Sequence, residues 1–271
     1  DKVFALKVLS KGDLVERKRV KRVFTELKIL SKAKHPFIVN FYHAFHTTHH
    51  LYFALEFCGG GELFRVLAAQ KNTSLPEQHV RFYCAEVLLA LEHIHHMGYI
   101  YRDLKPENIL LSNDGHIRIA DFDLSAKLNA NVVGSPPQMK RSFVGTPEYL
   151  APEVVTGEGH TQAVDWWGFG VLMYEMLFGA TPFQSQNMPE TFSLITTREV
   201  KFPSNNQVSS VCHDLIRKLL DKNPFKRLGS NGSQGASAVK AHPFWEGLDF
   251  ENIHLAVPPL IPRLTDKFDT R

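Results

Sequence analysis

Cysteine is scarce in these 271 residues: Cys58, Cys84 and Cys212 are the only three, and no two form a Cys-x-x-Cys pair. An odd, widely spaced set excludes a disulfide framework and a zinc knuckle, and it suits a reducing compartment. Charge of one sign is scarce as well. Lys plus Arg number 31 and Asp plus Glu 28, a formal net charge of +3, which is too small an excess to argue for a nucleic-acid partner. Long apolar runs are missing. The most apolar stretch, Trp166 to Tyr174, is stopped by Glu175 and falls well short of the ~18 residues that a membrane span needs. No secretory signal pattern is visible. The remaining composition, 44% hydrophobic and 22% charged, is that of an ordinary soluble globular protein, and the length allows one large domain or two small ones. The chain opens inside an apparent strand without an initiator Met. It is therefore expected to be a piece of a longer protein, and the expected location is the cytoplasm or, through regions outside these residues, the periphery of a membrane.

The pattern changes along the chain. Val3 to Leu9 is a short apolar run with one lysine inside, which predicts a buried strand. From Asp13 to Lys32 the period turns helical, with Leu14, Val20, Val23, Phe24, Leu27 and Leu30 on one face. His35-Pro36 ends that helix. Ile38 to Phe45 and Leu51 to Phe57 read as strands around a polar turn. Gly59-Gly60-Gly61 then breaks the pattern like a hinge. Beyond it the chain is mostly helical. Pro76 to Met97, the apolar Ala163 to Gly179 and the amphipathic Val211 to Leu220 are the main helices. Asn113-Asp114-Gly115 turns between two short strands. No period survives from Asp121 to Pro152, a length typical of functional loops. Two lobes joined at the triple glycine is the simplest architecture, with expected segments 1–57, 58–247 and 248–271.

One segment carries the chemistry: Tyr101-Arg102-Asp103-Leu104-Lys105-Pro106-Glu107-Asn108. It is followed by Asp121-Phe122-Asp123 at a strand end and by Gly145-Thr146-Pro147-Glu148-Tyr149-Leu150-Ala151-Pro152-Glu153. Upstream lie Lys7 on a strand and Glu26 in a helix. Each has a bland reading alone: a turn, a snorkelling lysine, a solvated glutamate. All of them in this order, on these element types, resemble the protein kinase signature set. Tyr101 before Arg102, Asp165-Trp166-Trp167, Asn223 to Gly229 and the proline-bearing tail are similar to the AGC group of Ser/Thr kinases.

The resemblance implies an α+β bilobal fold, a strand-rich N-lobe over a helical C-lobe, with ATP and Mg²⁺ in the cleft between. It implies Asp103 at the substrate hydroxyl, Lys105 on the transferring phosphate, and Lys7 on the α/β-phosphates, held by Glu26. Asn108 and Asp121 would ligate the metal. Leu55, Glu56 and Cys58 would line the hinge, Ala5 and Leu110 would sandwich adenine, and Glu62 would reach the ribose. Glu62, Glu107, Thr146 and Glu175 would contact a protein substrate basic before its Ser or Thr. Ser142 would be the activation-loop phosphosite of an upstream kinase, with Arg22 and Arg102 as its cationic partners. A monomer without nucleic-acid or transmembrane parts is expected. Leu30, Phe41, Tyr101 and Phe122 would stack as an apolar spine, Glu153 would pair with Arg227, and Asp165 would tie down the catalytic loop.

Three features depart from the family pattern. The glycine-rich phosphate loop, placed by the family two strands before Lys7, is not among these residues. The tail stops at Arg271 before any hydrophobic motif. Asp123 stands where most kinases carry Gly, as in a branch of plant auxin-transport and blue-light receptor kinases and fungal flippase kinases. Its backbone tolerance is the expected reason it fits, and only Asp121 is expected to bind metal. The rivals are a pseudokinase-like scaffold, for which the missing loop leaves room, and a small-molecule kinase, which the peptide-platform motif Gly145 to Glu153 disfavours. The cluster His93, His95, His96 reads as helix-end histidines, not a metal site.

Overall fold

A computed structural model describes residues 2–128, 147–159, 161–204, 207–230 and 235–262. The first layer is a three-stranded antiparallel sheet. Strand β1 (Phe4–Ser10) pairs with β3 (His50–Glu56), and β3 pairs with β2 (Phe41–His46), giving the order β1-β3-β2. Period-2 alternation on β1 turns Ala5, Lys7 and Leu9 inward and leaves Phe4, Leu6 and Val8 exposed. Two helices, α1 (Lys11–Glu16) and α2 (Val20–Lys32), connect β1 to β2. Ser10 caps α1 by accepting from the Asp13 amide.

The single helix expected from Asp13 to Lys32 is two. Lys18 holds φ 53, which no α-helix can contain, and the turn resets the helical phase. Val20 and Phe24, expected on the core face, are instead 39% and 59% exposed. The buried stripe of α2 is Val23, Glu26, Ile29 and Leu30. The strand expected from Ile38 also begins later, at Phe41. Ile38 bridges in parallel to Ile119, and the Val39 amide donates to the Ile119 carbonyl at 3.0 Å, so this stretch joins the small layer to the large one.

The large layer starts with β4 (Gly61–Glu62), α3 (Leu63–Ala68) and α4 (Glu77–His96). Short strands follow: β5 (Tyr99–Ile100), β6 (Ile109–Leu111), β7 (Ile117–Ile119) and β8 (Ala126–Lys127). β4-β6-β7 form one sheet and β5-β8 another, and the expected turn at Asn113 to Gly115 joins β6 to β7. Helices α5 (Pro152–Thr156), α6 (Ala163–Phe178), α7 (Met188–Thr197), α8 (Ser210–Leu219) and α9 (Gly235–Lys240) complete the layer. Strand-rich above and helical below, the molecule has the expected α+β class.

Helix α6 is the axis of the core. Trp166, Trp167, Phe169, Leu172 and Met176 are fully buried on it. Gly170 lets α8 come close: a Cβ there would sit 2.9 Å from the Leu219 Cβ. The tail lies back on this layer, where the Tyr83 hydroxyl donates to the Leu260 carbonyl (3.3 Å) and accepts from its amide (3.2 Å). Arg227, 0% exposed, donates to both oxygens of Glu153 at 2.7 and 2.9 Å and to the Ala163 carbonyl at 2.8 Å. The expected pair therefore exists, and its two-pronged geometry is specific to a guanidinium. Arg227→Ala would strand the Glu153 carboxylate in the core. It should lower unfolding free energy by about 3–5 kcal/mol in chemical denaturation, and Arg227→Lys should recover only part of that.

Candidate active site

The cleft between the layers gathers the charged residues. Lys7 Nζ lies 2.7 Å from Glu26 Oε1 and 2.9 Å from Asp121 Oδ1. Lys7 comes from β1, Glu26 from the buried stripe of α2, and Asp121 from the end of β7, so the cluster exists only when α2 is docked. Burial works against the Lys7 ammonium, but the two carboxylates outweigh it and raise its pKa. Asp121 is also part-buried, yet the Lys7 charge and hydrogen bond hold its carboxyl below the usual range. Glu26 Oε1 also accepts from the Phe122 amide at 3.3 Å, which ties α2 to the backbone beside Asp121.

The second cluster is built by Asp165. Its Oδ2 accepts from the Tyr101 amide (2.9 Å) and its Oδ1 from the Arg102 amide (2.7 Å), while His95 Nε2 closes on Oδ2 at 2.7 Å. Arg102 takes φ 68 in this grip, and Asp121 takes φ 52 across the cleft. Left-handed angles at non-glycine residues persist only where the surroundings impose them. The His95 ring is thus a support for Asp165, as the bland reading of the histidine cluster requires.

Downstream of that anchor sits Asp103. Asn108 Nδ2 donates to its carboxylate and to its main-chain oxygen, both at 2.7 Å, and Lys105 Nζ lies 3.1 Å from Oδ2. Burial raises the Asp103 pKa against the opposing pull of Lys105 and Asn108, and the Asp121 charge adds to the rise. The site has the composition a divalent cation with phosphate ligands requires. Asn108 commits its amide nitrogen to Asp103, so its oxygen is the atom it can offer, and Asp121 stays ionised. Among the described residues no group of three or more His, Cys, Asp or Glu could hold a metal ion. Mg²⁺ takes few protein ligands and shares the rest with phosphate and water, and Asn108 and Asp121 are oxygen donors of that kind.

The hinge residues lie above. Ala5 pairs across the sheet with Leu55, and Glu62 with Leu110. Glu56 spends its carboxylate on Asn40 (2.7 Å) and Arg118 (3.1 Å), and its amide donates to the Asn40 carbonyl at 2.8 Å. Burial pushes the Cys58 thiol up to about 12, so it is a packing residue, not a nucleophile. Of the expected spine, Tyr101 and Phe122 stack edge to face with centroids 5.4 Å apart, and Leu30 and Phe41 pack in the same core.

At the other end of the cleft, Glu175 accepts from the Tyr149 hydroxyl, and Glu148 accepts from Thr181. Burial raises the Glu175 pKa, and the nearby charges of Glu107 and Glu148 add to it. The structure thus brings Glu107, Glu148 and Glu175 together. Glu148 and Tyr149 were legible only as parts of a motif, with no role attached. Glu62 lies on β4 at the start of α3, and both elements pack against the Pro106–Asn108 turn that carries Glu107. Ser142 and Thr146 lie outside the described residues.

The protein kinase domain matches residues 1–245. The chain belongs to the protein kinase family. It is 49% identical to flippase kinase 1 of Saccharomyces cerevisiae over 98% of this chain and 31% of that protein. It is 44% identical to the serine/threonine-protein kinase nrc-2 of Neurospora crassa, over 99% of this chain and 47% of that one. Phototropin-1A of Oryza sativa subsp. japonica is 42% identical over 94% of this chain and 30% of its own length. The chain thus spans about a third to a half of the length of these three relatives.

In this kinase domain, Asp103→Asn should keep the fold and nucleotide affinity while kcat falls about 10²–10⁴-fold, as for loss of a positioned base. The acid limb of wild-type kcat/KM should lie above the ordinary aspartate range, because Asp103 must be ionised to accept a proton and its pKa is raised. Steady-state kinetics from pH 4 to 8 checks both.

Proposed function

We propose that the domain transfers the γ-phosphoryl group of ATP to Ser or Thr of protein substrates that carry arginine upstream of the target. Its Ser/Thr kinase relatives and the intact Lys7, Asp103, Asn108 and Asp121 support the reaction, and they disfavour the scaffold reading. Phosphoryl transfer demands positioning and charge neutralisation more than covalent work. Lys7, fixed by Glu26, would hold the nucleotide phosphates. Asp103 would accept or orient the hydroxyl proton, and Lys105, beside it, would stabilise charge on the group in flight. Asn108 and Asp121 would hold Mg²⁺, which neutralises phosphate charge when bound. The hinge set Ala5, Leu55, Glu56, Cys58 and Leu110 would take the adenine, and Glu62 the ribose. The lobe boundaries 1–57, 58–247 and 248–271 belong to the same reading, as do a monomeric cytoplasmic state and an upstream kinase acting on Ser142.

The observation that carries the substrate class is the acidic group Glu107, Glu148 and Glu175. Burial and the neighbouring charges of Glu107 and Glu148 raise the Glu175 pKa, and Glu175 and Glu148 each accept from a hydroxyl, Tyr149 and Thr181. An arginine arriving from a substrate would relieve that repulsion and make charge-assisted bonds of ~1.5–3 kcal/mol each. Glu175→Ala should reduce the preference for arginine two residues before the target by roughly ten- to hundredfold and leave the preference three residues before it less affected. Because the Glu175 pKa is raised, the preference should strengthen as pH rises through it and weaken in acid. A peptide array on the full-length kinase reads this directly; acidic or neutral selection at both positions would contradict the proposal.

A further inference from the structure

Position 123 is glycine in most kinases and aspartate here. Backbone freedom does not account for the site: among the described residues, the left-handed angles nearby fall at Arg102 (φ 68) and Asp121 (φ 52), and Asp123 is not in that region. What the position does carry is a carboxylate with a partner. Asp123 Oδ2 lies 3.8 Å from Arg22 Nη1, with the two side chains 26% and 33% exposed. Arg22 is on α2, four residues before Glu26, so the two share a face of that helix. Glu26 already grips the same segment through the Phe122 amide at 3.3 Å.

A second guanidinium is close by. Arg102 is anchored from the other lobe by its Nε–H to the Leu124 carbonyl, 2.7 Å. After burial, the charge of Arg22 is a cause of its lowered pKa. The Asp165 charge opposes that lowering, and the Asp123 carboxylate, beside Arg22, offsets part of the like charge on the α2 side. The Asp123 amide also donates to Asp121 Oδ1 at 3.3 Å, which links the pair directly to the metal-binding carboxylate.

We propose that Asp123 is a positioning residue: with Arg22 it forms a second clasp, one helical turn from Glu26, that holds the 121–123 segment against α2. The clasp deepens the kinase reading and rests on it. It acts through Asp121 and the Lys7–Glu26 pair, touching neither substrate nor phosphate. Half-exposed ion pairs of this kind are weak, so the expected effect is about fivefold, far smaller than the loss of a metal ligand.

The test is a double-mutant cycle on the full-length protein with Asp123→Asn, Arg22→Gln and the double variant. Each single change should lower kcat about fivefold, and the double should be no worse than either. Both should speed amide exchange in residues 22–32, and 0.5 M salt should shrink the wild-type advantage. Wild-type kcat and exchange in Asp123→Asn, or losses that multiply in the double variant, would overturn the clasp. If the unmutated protein phosphorylates no Ser or Thr substrate, the kinase reading fails; the exchange rates then decide the clasp alone.

Discussion

The contact between Lys7 and Glu26 is the constraint on which the site depends. The lysine comes from a strand of one layer and the glutamate from a helix that could swing away, and the acceptor they share a neighbourhood with, Asp121, belongs to the other layer. A buried ammonium without carboxylates would lose its proton or open the cleft. With Glu26 at 2.7 Å and Asp121 at 2.9 Å it stays charged, and the three elements are held in register. Docking of α2 thus fixes where the Lys7 charge stands in the cleft.

The large layer supplies the opposite quality, rigidity. Asp165 rises from the start of α6, the most buried helix, and fixes two successive amides of the loop that carries Asp103. Arg227 and Glu153 lock the start of α5 to the same helix. Reactive carboxylates are therefore positioned by groups whose own places are set by core packing. The partner across the cleft is α2, whose Glu26 meets Lys7 and the Phe122 amide and whose Arg22 lies beside Asp123.

Most of the site was legible in the sequence because its residues lie in short, ordered runs. Asp103, Lys105 and Asn108 fall within six residues, and the strand Lys and helix Glu match one another through element type. The spine, the Glu153–Arg227 pair and the Asp165 anchor followed from the same resemblance. The misreadings have local causes. Nothing in the composition of Arg17 to Arg19 marks a turn, since Lys18 at φ 53 is neither Gly nor Asn, so α1 and α2 read as one helix with the wrong face. Contacts distant in sequence were invisible for a different reason. Tyr149 with Glu175, and Arg22 with Asp123, are partners only because the fold brings them together, and no spacing rule encodes them.

The central claim is that docking of α2 through Glu26 makes Lys7 competent to hold phosphate. Glu26→Gln in the full-length kinase removes the charge but keeps the shape. The account predicts that kcat/KM for Mg-ATP falls by at least tenfold, while the unfolding midpoint moves little because Asp121 still neutralises Lys7. Wild-type kcat/KM in Glu26→Gln would contradict it.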